Sequence, residues 1–386
     1  MNHVSKASLY PAAQMISARL ERYFAQYAGE SPDQKNHELA SVPDRETIET
    51  IVDTAFWASL QREEGYAPKI SLGYLSPEQA GGQPMMFAEP LPLNPHALTK
   101  LSPAVERPSI YLGVWRNAQN QLSVWGATRT VPQNCFVLEV IEPGLLVVKH
   151  RRGSQQSKFA NVLIFSGEQI KEIDEQGTSL SDCPEMLAAM LRFGSSSHSD
   201  QHVSILVQLA VSMRKHKRGG SLLIVPQNTE IWKESIVLPA RYLVTPSFTG
   251  LADLFRQPPQ SEINHRLHQE LLFDAVETIA GLTAVDGATL ISEEYELMAF
   301  GAKIKRRDDR TRVEHAILTE PIIGNEPSVV HPLQFGGTRH LSAAQFVQDQ
   351  PDSIALVSSQ DGRFTVLAWS PCERMVHAHR IESLLL

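Results

Sequence analysis

Between Ser109 and Phe165 the chain passes through a series of short β-rich runs: Ile110–Trp115, Leu122–Trp125, Cys135–Val140, Leu145–Val148 and Val162–Phe165. Asn, Gly and Pro turns separate them. Strands at this spacing predict an antiparallel sheet rather than βαβ units, whose crossovers need a dozen or more residues. Trp115 and Trp125 fall in adjacent runs, a pattern that predicts cross-strand core packing. Ahead of the sheet, residues 12 to 28 place Met15, Ile16, Leu20, Tyr23 and Phe24 at helical spacing. A polar linker from Gly29 to Asn36 leads to a second predicted helix, Arg45 to about Gln61, with Ile48, Ile51, Val52, Ala55, Phe56 and Leu60 on one face. Two more helical segments follow the sheet, about Pro184–Phe193 and His202–Lys215.

The texture changes at Gly219. Ser221–Val225 is a short, continuous apolar run closed by Pro226, the pattern of a strand buried on both faces. A long helix over Glu262–Leu282 comes next, then strands over Ala288–Ser292 and Glu296–Ile304 joined by a turn at Glu293-Glu294. Ser342–Val347 reads as a short helix, and Ser353–Ser358 with Phe364–Trp369 as a hairpin turning at Gln360-Asp361-Gly362. This alternation predicts an α/β domain with a mixed sheet flanked by helices. The chain therefore divides into a helical extension and linker (1–44), a β-rich region with flanking helices (45–216) and an α/β domain (217–386). Overall it is α+β.

Bulk properties narrow the function. A length of 386 residues favours more than one core. The formal net charge of −8 argues against a general nucleic-acid binder, which needs a basic surface. Local basic patches do occur, at Arg214–Arg218 and from Lys303 to Arg312. Cys135, Cys183 and Cys372 are scattered without a CxxC spacing, so neither a disulfide framework nor a thiolate zinc site is expected. His265 and His268 have an H-x-x-H spacing with no carboxylate partner in register. With no signal-like N-terminus and no long apolar run, a cytoplasmic protein without a membrane span is expected.

Two stretches combine small residues with side chains suited to phosphate and metal. In Val285-Asp286-Gly287-Ala288 a carboxylate precedes a glycine that leaves room for ligand atoms. Such a carboxylate can hold Mg²⁺ or Mn²⁺ against phosphate oxygens, or draw a proton from a sugar hydroxyl. Asp-Gly is also a common turn pair. In Gly336-Gly337-Thr338-Arg339-His340 the glycines can adopt positive φ and aim backbone N–H groups at an anion. Thr338 adds a hydroxyl, Arg339 a guanidinium fork and His340 a further donor. The helix formers Ser342-Ala343-Ala344 would bring a helix N-terminus to the same anion. Together the stretches provide what phosphoryl or nucleotidyl transfer requires.

Asp286-Gly287-Ala288 and Gly337-Thr338-Arg339-His340, in this order, resemble the paired motifs of diadenylate cyclases. Flanking segments are similar as well: Ser221–Val225, Ala299-Phe300-Gly301-Ala302, and Ile354–Ser358 with Asp361-Gly362. The resemblance covers roughly 217 to 386. The layout before it, with the junction Gly219-Gly220-Ser221-Leu222-Leu223-Ile224-Val225-Pro226, resembles the β-rich sensor domain called DACNV that precedes the cyclase in one subclass. What the resemblance implies is condensation of two ATP into cyclic di-3′,5′-AMP and two pyrophosphates. It further implies a homodimer or higher homo-oligomer presenting two ATP molecules face to face, and an unidentified ligand for the N-terminal domain. Asp286 would activate the 3′-hydroxyl with Mg²⁺ or Mn²⁺. Gly287, Ala288, Gly301, Gly336, Gly337 and Ser358 would line the nucleotide, while Thr338, Arg339 and His340 hold its phosphates. Three positions depart from the family pattern: Leu341 replaces a second arginine, Val285 a frequent histidine, and Ser359-Gln360 an acidic pair. The alternative that these departures imply is a cyclase-fold module that binds ATP or a cyclic dinucleotide without turnover.

Overall fold

The computed structural model describes residues 8–29, 39–107, 109–152, 158–174, 199–257 and 262–386. The chain divides into two compact units, Met1–Ile173 with Leu386, and Asp174–Leu385. The helix expected at 184–193 lies outside the described residues.

In the first unit an eight-stranded sheet carries helices α1 (Pro11–Gly29), α2 (Arg45–Ser59) and α3 (Pro95–Val105). Its strands are β1 (Ile70–Tyr74), β2 (Met85–Pro92), β3 (Tyr111–Arg116), β4 (Leu122–Thr128), β5 (Phe136–Glu142), β6 (Leu145–Arg152), β7 (Lys158–Ser166) and β8 (Gln169–Glu172). They lie in the order β2-β4-β3-β1-β5-β6-β7-β8. The expected antiparallel sheet needs one correction, because β1 pairs parallel with β3 and makes the sheet mixed. The connection between those two strands contains α3, which supplies the length that a parallel crossover demands. Most of the two helical faces read from the sequence is buried: Ile16, Leu20 and Phe24 of α1 meet Ile48, Ile51 and Val52 of α2 over Leu72, Leu112, Leu138 and Phe165 of the sheet, whereas Met15 and Leu60, expected on those faces, are exposed. Asp44 caps α2 by accepting a hydrogen bond from the Thr47 amide at 2.8 Å. A smaller core holds Leu75, Trp125, Cys135 and Val137, with Trp115 packed against it.

In the second unit, nine strands form one mixed sheet: β9 (Gly220–Val225), β10 (Tyr242–Phe248), β11 (Ala288–Ser292), β12 (Leu297–Ala302), β13 (Ala316–Thr319), β14 (Ser328–Val330), β15 (Ile354–Ser358), β16 (Phe364–Ser370) and β17 (Met375–Arg380). Their order is β10-β12-β11-β9-β15-β16-β17-β13-β14. Helices α4 (Ser199–Lys215), α5 (Gly250–Arg256) and α6 (Glu262–Leu282) contribute to a core that includes Leu222, Ile224, Leu356 and Val366. The short α7 (Pro332–Phe335) and α8 (Thr338–Asp349) contribute Phe335, Ala343, Phe346 and Val347 to a second core containing Leu223, Val225, Val357 and Leu367. Alternate residues of β9 and β15 thus enter different cores, so both strands are buried on both sides, as the SLLIV run predicts. The helix α4, which precedes the sequence-derived boundary at 217, belongs to this second unit. Among the described residues no helix is long and apolar enough to cross a membrane.

One glycine sets the packing of the first unit's smaller core. A Cβ on Gly113 would lie 2.1 Å from the Trp125 ring, whose Nε1 donates to the Leu75 carbonyl at 2.8 Å. Gly113→Ala is therefore expected to destabilise the fold by about 1–3 kcal/mol through overpacking. Urea unfolding followed by tryptophan fluorescence would show the midpoint falling, and an unchanged midpoint would contradict this packing.

Candidate functional site

Strand pairing around β9 brings the two motif stretches to one end of the second sheet. The parallel register places Ala288 of β11 opposite Ser221, and the antiparallel register places Ser358 of β15 opposite Gly220. Asp286 and Gly287, just before β11, therefore flank the start of β9 on one side. The end of β15 flanks it on the other. Arg339, in the first turn of α8, reaches the same point: a Cβ on Gly219 would lie 3.1 Å from its Nη1 and 3.3 Å from the Ser358 carbonyl oxygen. Gly219 has φ +71°, a conformation that a side chain would strain. Asp286, Gly337, Thr338 and Arg339 are exposed, so a carboxylate, a hydroxyl and a guanidinium are open to solvent.

The glycines do different work from that expected. Gly287 has φ +110°, and a Cβ there would lie 2.5 Å from the Gly301 carbonyl carbon. A Cβ on Gly301 in turn would meet the Tyr242 ring at 2.8 Å and the Asp286 carbonyl oxygen at 3.3 Å. This pair lets the Asp286 loop lie backbone against backbone on β12, where Ala288 is registered with Ala302. Gly336 and Gly337 do not adopt positive φ; their values are −169° and −86°. The reason is that α8 begins at Thr338, four residues before the expected helix, so both glycines are extended backbone leading into it. Gly336 makes room for the His340 ring, which a Cβ would meet at 2.1 Å. Gly337 is the N-cap and provides no side chain for the first-turn amides. The exposed start of α8 at Thr338 and Arg339 thus presents helix N–H groups, the arrangement that favours an anion.

Two of the expected binding residues face inward. His340 is 2% exposed, stands edge-on to Phe335 and lies with Nε2 3.3 Å from Thr365 Oγ1. Burial, and then the charge of Arg380, push its imidazole down to about 4, so it is neutral at pH 7. Its geometry is that of a residue fixing the α7–α8 bend. Ser358 is fully buried, and its hydroxyl donates to the Met213 carbonyl at 3.3 Å. Sequence reasoning missed neighbours that complete this end of the sheet. A Cβ on Gly220 would lie 2.6 Å from both the carbonyl and the hydroxyl oxygen of Thr283, so the exit of α6 rests on β9. His216 lies with Nε2 3.2 Å from the Thr283 hydroxyl, its imidazole pushed down by burial and by Arg218. The pair Gly219-Gly220 was the available signal, since two adjacent glycines before a buried strand mark close approach.

Among the described residues no three His, Cys, Asp or Glu side chains cluster as a metal-ligand set. An exposed single carboxylate such as Asp286 nevertheless suits Mg²⁺ or Mn²⁺ carried by a nucleotide, because Mg²⁺ is commonly held by one or two carboxylates plus substrate phosphates.

A family model described as "Probable sensor domain DACNV" matches residues 37–129, which include α2, α3 and the strands β1 to β4. Among curated proteins no match was found. The solved structures include a similar chain described as the hypothetical membrane spanning protein from Bacillus cereus. It is 14% identical over 47% of this chain and 63% of that one, with a TM-score of 0.27.

The inward histidine has a pH consequence. An unfolded histidine protonates near 6.5, whereas folded His340 resists protonation down to about 4. Its contribution to stability is complete above about pH 6.5 and is lost as pH falls toward 4, in total on the order of 3 kcal/mol. His379, pushed down to about 3 by burial, adds a loss of the same sign. Thermal melts of wild type and His340→Gln at pH 7 and pH 5 should show the smaller drop in the variant. Equal drops would mean that His340 is not held neutral.

Proposed function

We propose that the chain is a diadenylate cyclase whose N-terminal domain acts as a sensor. The observation that supports this reading is that both motif stretches approach the start of β9, Asp286 just before the strand registered with Ser221 and Arg339 beside Gly219 and Ser358. The DACNV match supports it from the other half of the chain, because the resemblance associates that sensor with cyclases of this kind. The reading includes a cytoplasmic location and a homodimer or larger homo-oligomer, in which two copies of the site face each other.

In this reading Thr338, Arg339 and the open first turn of α8 hold the phosphates of ATP, and His340 keeps the bend beneath them in place. The Asp286 carboxylate takes the proton of a 3′-hydroxyl, and that oxygen bonds to the α-phosphorus of the facing ATP as pyrophosphate leaves. The same step on the partner closes the ring, so two ATP give one cyclic di-AMP and two pyrophosphates. Mg²⁺ or Mn²⁺ held by Asp286 supplies neutralisation of the phosphate charge.

The intact protein with ATP and either metal is expected to form cyclic di-AMP, detected by mass spectrometry. Asp286→Asn should lower the rate by about 10²–10⁴-fold, the range of a lost general base. Absence of product with both metals, under conditions where ATP binds, would reject the enzyme. A second reading rests on Leu341, which is half-buried against the α8 core where the related motif carries a charge. It is a module that binds ATP or a cyclic dinucleotide without turnover, and nucleotide binding with no product would select it.

A further inference from the structure

A pocket of about 360 Å³ opens between the chain leaving β12 and the first turns of α8. Lys305, Arg306 and Arg312 line it beside Leu341 and Ser342. Ala302, the last residue of β12, is registered with Ala288, so the pocket opens at the end of the sheet that carries Asp286. All three basic residues are exposed, and among the described residues none of them makes an ion pair. The neighbouring Arg307 is different, being paired with Glu234 and Asp309 at 3.0 Å each.

The backbone beneath these cations is fixed. Gln345 of α8 accepts from the Val313 amide at 2.9 Å and donates to the Thr311 carbonyl at 3.0 Å, which clamps the chain on both sides of Arg312. Asp349, fully buried, accepts from the Arg307 amide and from Gln345 Nε2, both at 2.9 Å. The Lys305 amide donates to the Ser235 carbonyl at 2.9 Å, so Arg306 is anchored on both sides as well. Like charges held at one opening repel each other, and an anion with several oxygens relieves that repulsion while accepting from both guanidinium forks.

We propose that this pocket is a diphosphate subsite, receiving the pyrophosphate portion of a bound nucleotide triphosphate or the released ion. The assignment rests on the nucleotide reading of the adjacent site. Two guanidinium forks at one opening favour a diphosphate, which offers more oxygens to accept from both than a monophosphate does.

The test is calorimetric titration of the intact protein at fixed ionic strength with inorganic pyrophosphate, inorganic phosphate and AMP. Arg306→Ala and Arg312→Ala are each expected to weaken pyrophosphate binding at least tenfold, with Arg→Lys variants intermediate and AMP affinity unchanged. Both arginines make no hydrogen bond or ion pair among the described residues, so the variants should keep the wild-type fold by circular dichroism. Pyrophosphate bound as tightly by both alanine variants as by wild type, or not bound by wild type, overturns the subsite. Inhibition of ATP turnover by added pyrophosphate separates the two claims. If cyclic di-AMP forms and its inhibition by pyrophosphate is the same in both alanine variants, the subsite falls while the cyclase stands. If no product forms yet pyrophosphate binding depends on the arginines, the cyclase falls and the anion pocket stands.

Discussion

The hydrogen-bonded position of β9 between β11 and β15 is the constraint on which the second unit depends. Its six residues are all buried, and alternate side chains feed the cores on the two faces of the sheet. A strand so placed cannot slip by one residue without exchanging the two sets of side chains between cores. Its register therefore fixes the height at which Asp286 enters on one side and Ser358 ends on the other. Gly220 lets Thr283 approach that end, because a Cβ there would overlap it, and Gly219 leaves room for the tip of Arg339, which a Cβ would crowd.

Polar groups buried below the surface hold the elements around this end. Asp349 and Gln345 tie the loop after β12 to α8, and burial pushes the Asp349 carboxyl up although the Arg307 amide and Gln345 favour its charge. His340 closes the turn from α7 into α8 against Phe335 and Thr365. Leaving such groups without partners would cost more than the bonds contribute net, so these contacts hold the arrangement by penalising alternatives. The exposed polar side chains of Asp286, Thr338 and Arg339 are carried on elements fixed from beneath.

Much of this fold was legible in the sequence. Helix α6 and strand β11 fall where the apolar spacing put them, and α1, α2 and most strands of the first sheet differ only at their ends. Other elements were hidden for physical reasons. Strand β17 reads Met375 to Arg380 with His377 and His379 alternating between Val376 and Ala378, yet all four are buried, so a polar pattern concealed a core strand. Strand β10 contains Pro246 and lies at a sheet edge, the place where a strand tolerates a residue that otherwise argues against strand. The parallel β1–β3 pair was masked because α3 contains Pro103, a residue that normally argues against helix. At the site, the residue types suited to phosphate and metal were readable in the two loops, whereas the inward turn of His340 and Ser358 was not. Burial of a polar side chain depends on partners distant in sequence, here Thr365 and Met213.

The central claim is that Asp286 and Arg339 belong to one nucleotide site. A double-mutant cycle on ATP affinity with Mn²⁺, using Asp286→Asn, Arg339→Gln and the double variant, tests it most directly. One site per chain predicts that each single change weakens binding and that the two losses fail to add. Wild-type affinity in either single variant, or strictly additive losses, would contradict it.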